Sequence, residues 1–235
     1  MKILVLGDLH HRREWFAWVA EQAPAFDLVA LTGDLLDFFQ GHRQEQKDFV
    51  LGWFAEEAAK GRPLAWCSGN HDVTRNDFAW IDGLRFPSVV GDLETKFFTT
   101  ASGEPFLVSS IPYQDRPMEA GEREVDELLT EGWKRRSEMG WCPWIVLAHN
   151  PPIHTLVARA PGDVCGSPKV RAWIEQFQPD YLLSGHLHQS PDLGSHQAEL
   201  GQCQCINAGC VAKAVIPSHV VIDTVTKEIV FRRGA

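Results

Sequence analysis

What the sequence lacks narrows its reading first. No apolar run approaches the ~20 residues that a membrane span requires. Positive charge is in deficit: Lys plus Arg number 22 against 31 Asp plus Glu, a net charge of −9. A chain this acidic has no generic affinity for nucleic acid or an anionic membrane. Any phosphate-bearing ligand would need a local positive charge, which a metal cluster can supply. Cysteine is sparse, with 6 in 235 residues, below the density of a disulfide scaffold. Cys203, Cys205 and Cys210 lie close enough in sequence to suggest a metal or redox site. No second paired-cysteine motif accompanies them, so free thiols on or near a strand is the simpler reading. Repeats, low-complexity tracts and linkers are missing too. The opening Met1-Lys2-Ile3-Leu4-Val5-Leu6 is too short for the apolar segment of a secretory signal and runs at once into Gly7-Asp8. A soluble cytoplasmic protein is expected. The remainder, 44% apolar and 23% charged, is ordinary globular composition. The length allows a full core, and one domain over 1–235 is expected.

Short apolar runs alternate with amphipathic stretches. Strands are predicted at Ile3–Leu6, Leu28–Leu31, Leu64–Cys67, Trp144–Ala148 and Tyr181–Leu183. Helical faces are carried by Trp15, Phe16 and Val19, then by Phe49, Val50, Trp53 and Phe54. Val170, Trp173, Ile174 and Phe177 form a third, at i, i+3, i+4 and i+7. Residues 87–111 read as consecutive strands with antiparallel pairing. Residues 118–138 read as a charged helix with Val125, Leu128, Leu129 and Trp133 as its apolar stripe. Val220–Ile222 and Ile229–Phe231 flank Thr224–Lys227 as a hairpin. Sheets flanked by helices follow from this alternation.

The chemistry-bearing residues stand just after the predicted strands, where open α/β sheets build their sites. Asp8-Leu9-His10 follows the first and Gly33-Asp34 the second. Gly69-Asn70-His71-Asp72 follows the third, His149 the strand over 144–148, and Gly185-His186-Leu187-His188 the strand over 181–183. Two aspartates, several histidines and an asparagine offer oxygen and imidazole donors together. Such a set suits Mn, Fe, Zn or Co better than Ca. Alternate side chains of an extended Asp-x-His or His-x-His reach one centre, and one metal takes about four protein ligands. A set of this size therefore implies two metals and a bridging carboxylate, for which Asp34 is the candidate.

The ordered set Asp-x-His, Gly-Asp, Gly-Asn-His-Asp, a lone His and Gly-His-x-His resembles the calcineurin-like metallophosphoesterase superfamily. The motifs span residues 8 to 188, most of the chain. The resemblance implies an α/β fold, a four-layer α/β/β/α sandwich with two mixed β-sheets. It further implies one metal held by Asp8, His10, Asp34 and His188, and a second held by Asp34, Asn70, His149 and His186. The ions implied are divalent transition metals, Mn or Fe first, with Zn or Co also suited. His71 matches the residue that protonates or stabilises the leaving group. Asp37 matches a carboxylate that orients that histidine in some branches, and an N-cap or exposed acid is the other reading. Asn207-Ala208-Gly209-Cys210 is similar to a loop bordering the site in small phosphodiesterases, with Ala and Cys at altered positions. A metal-bridging hydroxide would attack phosphorus in line.

The substrate expected is a small phosphodiester, such as a nucleotide or cyclic nucleotide. A phosphomonoesterase or pyrophosphohydrolase on the same site is the alternative, and a non-catalytic interaction scaffold is a third. Asp37 is followed by Phe38-Phe39 rather than the Arg-Gly of protein phosphatases, and Asp72 replaces their Glu. His11 directly follows His10, so its side chain should point elsewhere. Arg12, Arg13 and Arg75 read as solvated surface near the metal loops. His154 and His196 are candidates for the rim. His42 and His219 carry no specific signal, and no membrane or nucleic-acid partner is expected.

Overall fold

The computed structural model describes residues 1–73, 77–113, 119–140 and 142–235. Among these, two six-stranded sheets face one another. The first has the strand order β14-β13-β1-β2-β3-β4, built from β1 (Lys2–Leu6), β2 (Leu28–Leu31), β3 (Leu64–Trp66), β4 (Val89–Val90), β13 (His219–Asp223) and β14 (Glu228–Arg232). The second has the order β11-β12-β10-β7-β6-β5. Its strands are β5 (Thr95–Thr99), β6 (Pro105–Ile111), β7 (Trp144–Ala148), β10 (Tyr181–Ser184), β11 (Gln197–Leu200) and β12 (Cys203–Asn207). In each, four neighbouring strands run parallel; antiparallel pairing extends the first sheet at one edge and the second at both. A two-stranded ribbon, β8 (Arg159–Ala160) and β9 (Asp163–Val164), stands apart.

Side-chain alternation along each strand makes the layers. From β1, Ile3 and Val5 enter the core between the sheets with Leu28, Ala30, Ile145, Leu147 and Leu183. Leu4 and Leu6 point the other way, onto Trp15, Phe16 and Val19 of α1 (Arg13–Gln22) and Val50, Trp53 and Phe54 of α2 (Arg43–Ala59). On the far side, Trp144, Val146 and Leu182 meet Val125 and Leu129 of α3 (Glu119–Glu138). They also meet Val170, Trp173 and Ile174 of α4 (Pro168–Phe177). The result is the expected α/β/β/α sandwich.

Three expectations change. The consecutive strands over 87–111 divide between the sheets: β4 pairs parallel with β3, and only β5 and β6 pair antiparallel. Trp133 is 47% exposed instead of completing the α3 stripe, whose buried side chains include Val125, Leu129 and Arg136. The strand β11 carries no apolar signal in the sequence, because its Gln197-Ala198-Glu199-Leu200 has the polar pattern of an edge strand. All six cysteines are free thiols. Cys203 and Cys205 face the α3/α4 core, while Cys210 packs in the α1/α2 core. The trio is therefore not one site. The helix expected from residue 118 is described from Glu119, and Arg75 lies outside the described residues. No helix among the described residues is long and apolar enough to cross a membrane.

Candidate metal centre

Every parallel strand that precedes a site motif ends at the same rim of the sandwich, so loops from both sheets converge. The loops after β1 and β2 are tied together: the amides of Asp8, His10 and His11 donate to the carbonyls of Gly33, Asp34 and Leu35 at 2.9, 2.9 and 2.8 Å. Asp8, His10, Asp34 and His186 adopt left-handed backbone, with φ of 57°, 44°, 53° and 66°. Non-glycine residues visit this region at a cost, and such strain gathers at functional sites. Gly69 permits the closest approach. A Cβ there would lie 2.2 Å from Asp34 Oδ1 and 2.5 Å from Asp34 N.

The side chains form two adjoining groups around buried Asp8 and Asp34. Asp8 Oδ1 is 3.1 Å from His188 Nε2, and His10 Nε2 is 3.3 Å from the same nitrogen. Asp34 Oδ2 is 3.5 Å from His149 Nε2. Asn70 Oδ1 lies 3.0 Å from His149 Nε2 and 2.9 Å from His186 Nδ1. Potential donor atoms of Asp8, His10 and His188 lie within 4.8 Å of one another. So do those of Asp8, Asp34 and His149, and those of His10, Asp34 and His71. Two buried carboxylates amid imidazoles and an amide oxygen form a donor set that divalent transition metals fit.

Surrounding groups aim these donors. His149 Nδ1–H donates to the Thr32 carbonyl at 2.7 Å, which directs Nε2 toward Asp34 and Asn70. Asp72 is fully buried and accepts from the Leu36 and Gly69 amides, both at 2.9 Å, joining the loops after β2 and β3. Arg43, from α2, donates to the carbonyls of His71 and Asp72 at 2.9 and 2.8 Å. Asn207 Nδ2 donates to the carbonyls of Gly185 and Leu187 at 3.1 and 3.3 Å. The Asn207–Cys210 segment thus borders the site from beneath, and Cys210 N donates to His188 O at 3.0 Å. Thr32 and Arg43 carry no motif signal. Their roles arise from contacts across 117 and 28 residues of sequence.

His71 sits at the mouth. Its amide donates to Asp34 Oδ1 at 2.8 Å and its Nε2 lies 3.9 Å from Asp34 Oδ2. Its Nδ1 accepts from the Phe38 amide at 3.0 Å. Asp37 approaches that nitrogen only to 4.0 Å and instead accepts from the Phe39 amide at 2.8 Å. His11 turns away, edge-on to Phe49 with centroids 5.3 Å apart. His196 stacks on Phe231 and His154 is exposed. Arg13 pairs with Glu45 at 2.6 Å, while Arg12 lines the cavity beside His10 and His188.

The charges are mutually supporting. Burial opposes ionisation of Asp8, but His188, His149 and His10 outweigh it and hold its carboxyl below the usual range. Asp34 is likewise lowered against burial, chiefly by His149. Burial would depress His149, yet Asp34, Asp8 and the Thr32 carbonyl raise it to about 9. His188 is raised against its burial by Asp8. Burial and Asp34 push Asp72 up to about 7, whereas burial lowers His71.

A family model described as calcineurin-like phosphoesterase matches residues 1–190, and the chain belongs to that family of metal-dependent phosphoester hydrolases. Solved structures with related folds include GAP50, the anchor in the inner membrane complex of Plasmodium. It is 13% identical, with a TM-score of 0.59 over 99% of this chain and 83% of its own. A dimetal phosphatase from Danio rerio is 12% identical, with a TM-score of 0.54 over 94% of this chain and 92% of its own. An NAD nucleotidase from Haemophilus influenzae is 12% identical, with a TM-score of 0.57 over 100% of this chain and 49% of its own. At these identities the likeness is one of fold. Among curated proteins, none matches the chain in sequence.

Proposed function

We propose that this protein hydrolyses a small phosphodiester, of the nucleotide or cyclic nucleotide class, at a centre of two divalent transition-metal ions, Mn or Fe. The observation that carries the reading is the packing of Asp8 and Asp34, both buried, among His10, His149 and His188, with His71 at the mouth. Asp8, His10, Asp34 and His188 would hold one ion, and Asp34, Asn70, His149 and His186 the other. When bound, the ions supply positive charge for the phosphate and lower the pKa of a water that attacks phosphorus in line. The local charge would offset the acidity of the whole chain.

His71 is assigned to the leaving group. Because Nδ1 accepts the Phe38 amide proton, the proton of a neutral ring resides on Nε2, the nitrogen nearer Asp34. As water oxygen adds to phosphorus and the ester P–O bond breaks, that N–H donates a hydrogen bond to the departing oxygen, which takes its proton from solvent. The proton lost by water goes to solvent. Asp37 assists indirectly: by accepting the Phe39 amide it holds the turn that presents the Phe38 N–H to the ring.

The test is a panel of phosphodiesters, phosphomonoesters and pyrophosphates offered to metal-stripped protein with added Mn²⁺. Turnover of diesters above the other two classes is expected. A panel led by monoesters or pyrophosphates would replace the substrate assignment, and no turnover of any class would remove the catalytic one.

A further inference from the structure

A cavity of about 290 Å³ opens beside the metal ligands, lined among others by His10, Trp15, Phe39, Gln40, His71 and His188. That volume is at the small end of ligand sites. Phe39 is its most unusual wall. The side chain is 83% exposed and belongs to no hydrophobic core cluster. Exposure alone decides nothing, since Val215 and Val225 are 76% and 73% exposed far from any motif. Position does: the Phe39 ring centroid is 5.3 Å from that of His71, with the planes at 75°. Phe38 differs. Its backbone amide holds His71 Nδ1, but its ring does not line the cavity.

Resting on the phosphoesterase reading of the site, we infer that Phe39 is the stacking platform for a nucleobase, and that the preferred substrates are nucleotides whose ribose oxygen leaves phosphorus beside His71. A phenyl ring left in water beside a polar centre gains by being covered, and a base presents a flat face able to cover it. Its place next to His71, assigned to the leaving oxygen, puts the base on the leaving-group side of the phosphorus. Gln40, in the same wall, offers an amide to the edge of the base.

The test compares 3′,5′-cyclic AMP with the 1-O-methyl ribose 3′,5′-cyclic phosphate, which has the same scissile bond and no base. In Mn²⁺-loaded protein, Phe39→Ala should raise KM for cyclic AMP about tenfold with kcat little changed. It should leave the base-free ester unaffected, and Phe39→Trp should restore the preference. Equal effects on both esters, or on neither, would overturn the platform. A binding measurement keeps this separate from the hydrolysis reading. Mn²⁺-loaded wild type should bind adenosine 5′-monophosphate more tightly than ribose 5-phosphate by calorimetry, and Phe39→Ala should abolish the difference. If wild type binds the two alike, the platform is wrong even where hydrolysis is observed. If it discriminates but no phosphoester is turned over, the base site stands and the hydrolysis reading falls.

Discussion

At the residue scale, Asp34 is the most connected group of the centre. One carboxylate oxygen accepts the His71 amide while the other faces His149 and His71 Nε2. Asp8 makes its imidazole contact with His188 and accepts the His186 amide, while it meets Asp34 and His149 more loosely, within 4.8 Å. Asp34→Asn should therefore leave well under ~1 ion per chain after reconstitution, while Asp8→Asn should keep about one. Elemental analysis showing equal losses would remove the bridging role. His71→Asn should keep metal content nearly intact. It should slow alkyl and nucleoside diesters by roughly 10²–10⁴-fold and nitrophenyl diesters far less, because only a poor leaving group needs the Nε2–H hydrogen bond. An equal fall for both would reassign His71 to stabilising charge or shaping the loop. The candidate donor types were legible in the sequence since each follows a strand. The supports from Thr32, Arg43 and the Phe38 amide were not, because backbone and charge contacts between distant segments leave no local pattern.

At the element scale, the site depends on helices that hold the strand ends in place. α4 packs Val170, Trp173 and Ile174 on the sheet that carries His149 and His186. It begins with Ser167, whose side chain accepts the Val170 amide, and Pro168 follows at the first helical position. Ser167→Ala should lower unfolding stability by about 1 kcal/mol, read from urea denaturation. The metal content should be unchanged, since Ser167 touches no ligand. An unaffected midpoint would show the cap to be redundant. α4 and the C-terminal hairpin were readable from periodicity, because one face of each meets a uniform core. α3 was readable only in outline. Trp133 satisfies the helical period yet lies outside the contact that Val125 and Leu129 make with the sheet. Likewise the short run Val89–Val90 could not announce which sheet it joins, because pairing is chosen by the neighbour available in space.

At the scale of the whole molecule, folding drives like charges together at one rim. Asp8 and Asp34 are both buried; Asp8 disfavours ionisation of Asp34, and the imidazoles of His149 and His71 offset it. Metals that bind the native state alone should stabilise it by mass action. At a hundredfold excess over Kd, the gain is about 2.7 kcal/mol per site. Mn²⁺ should raise the melting temperature of stripped protein, and chelator should lower that of loaded protein. A melting curve indifferent to both would contradict the centre.

The sequence by itself determined the family, the donor types and the layered architecture. Strand alternation and motifs placed at strand ends are local properties, written within a few residues of one another. Only the tertiary structure decided that the Phe38 amide meets His71 Nδ1 more closely than Asp37 does, that Arg12 lines the cavity while Arg13 pairs with Glu45, and that Cys210 parts from Cys203 and Cys205. Each of those outcomes depends on which of several chemically suitable groups lies within hydrogen-bond or packing distance. That distance is set by how two sheets and their helices close over one another, not by neighbours along the chain.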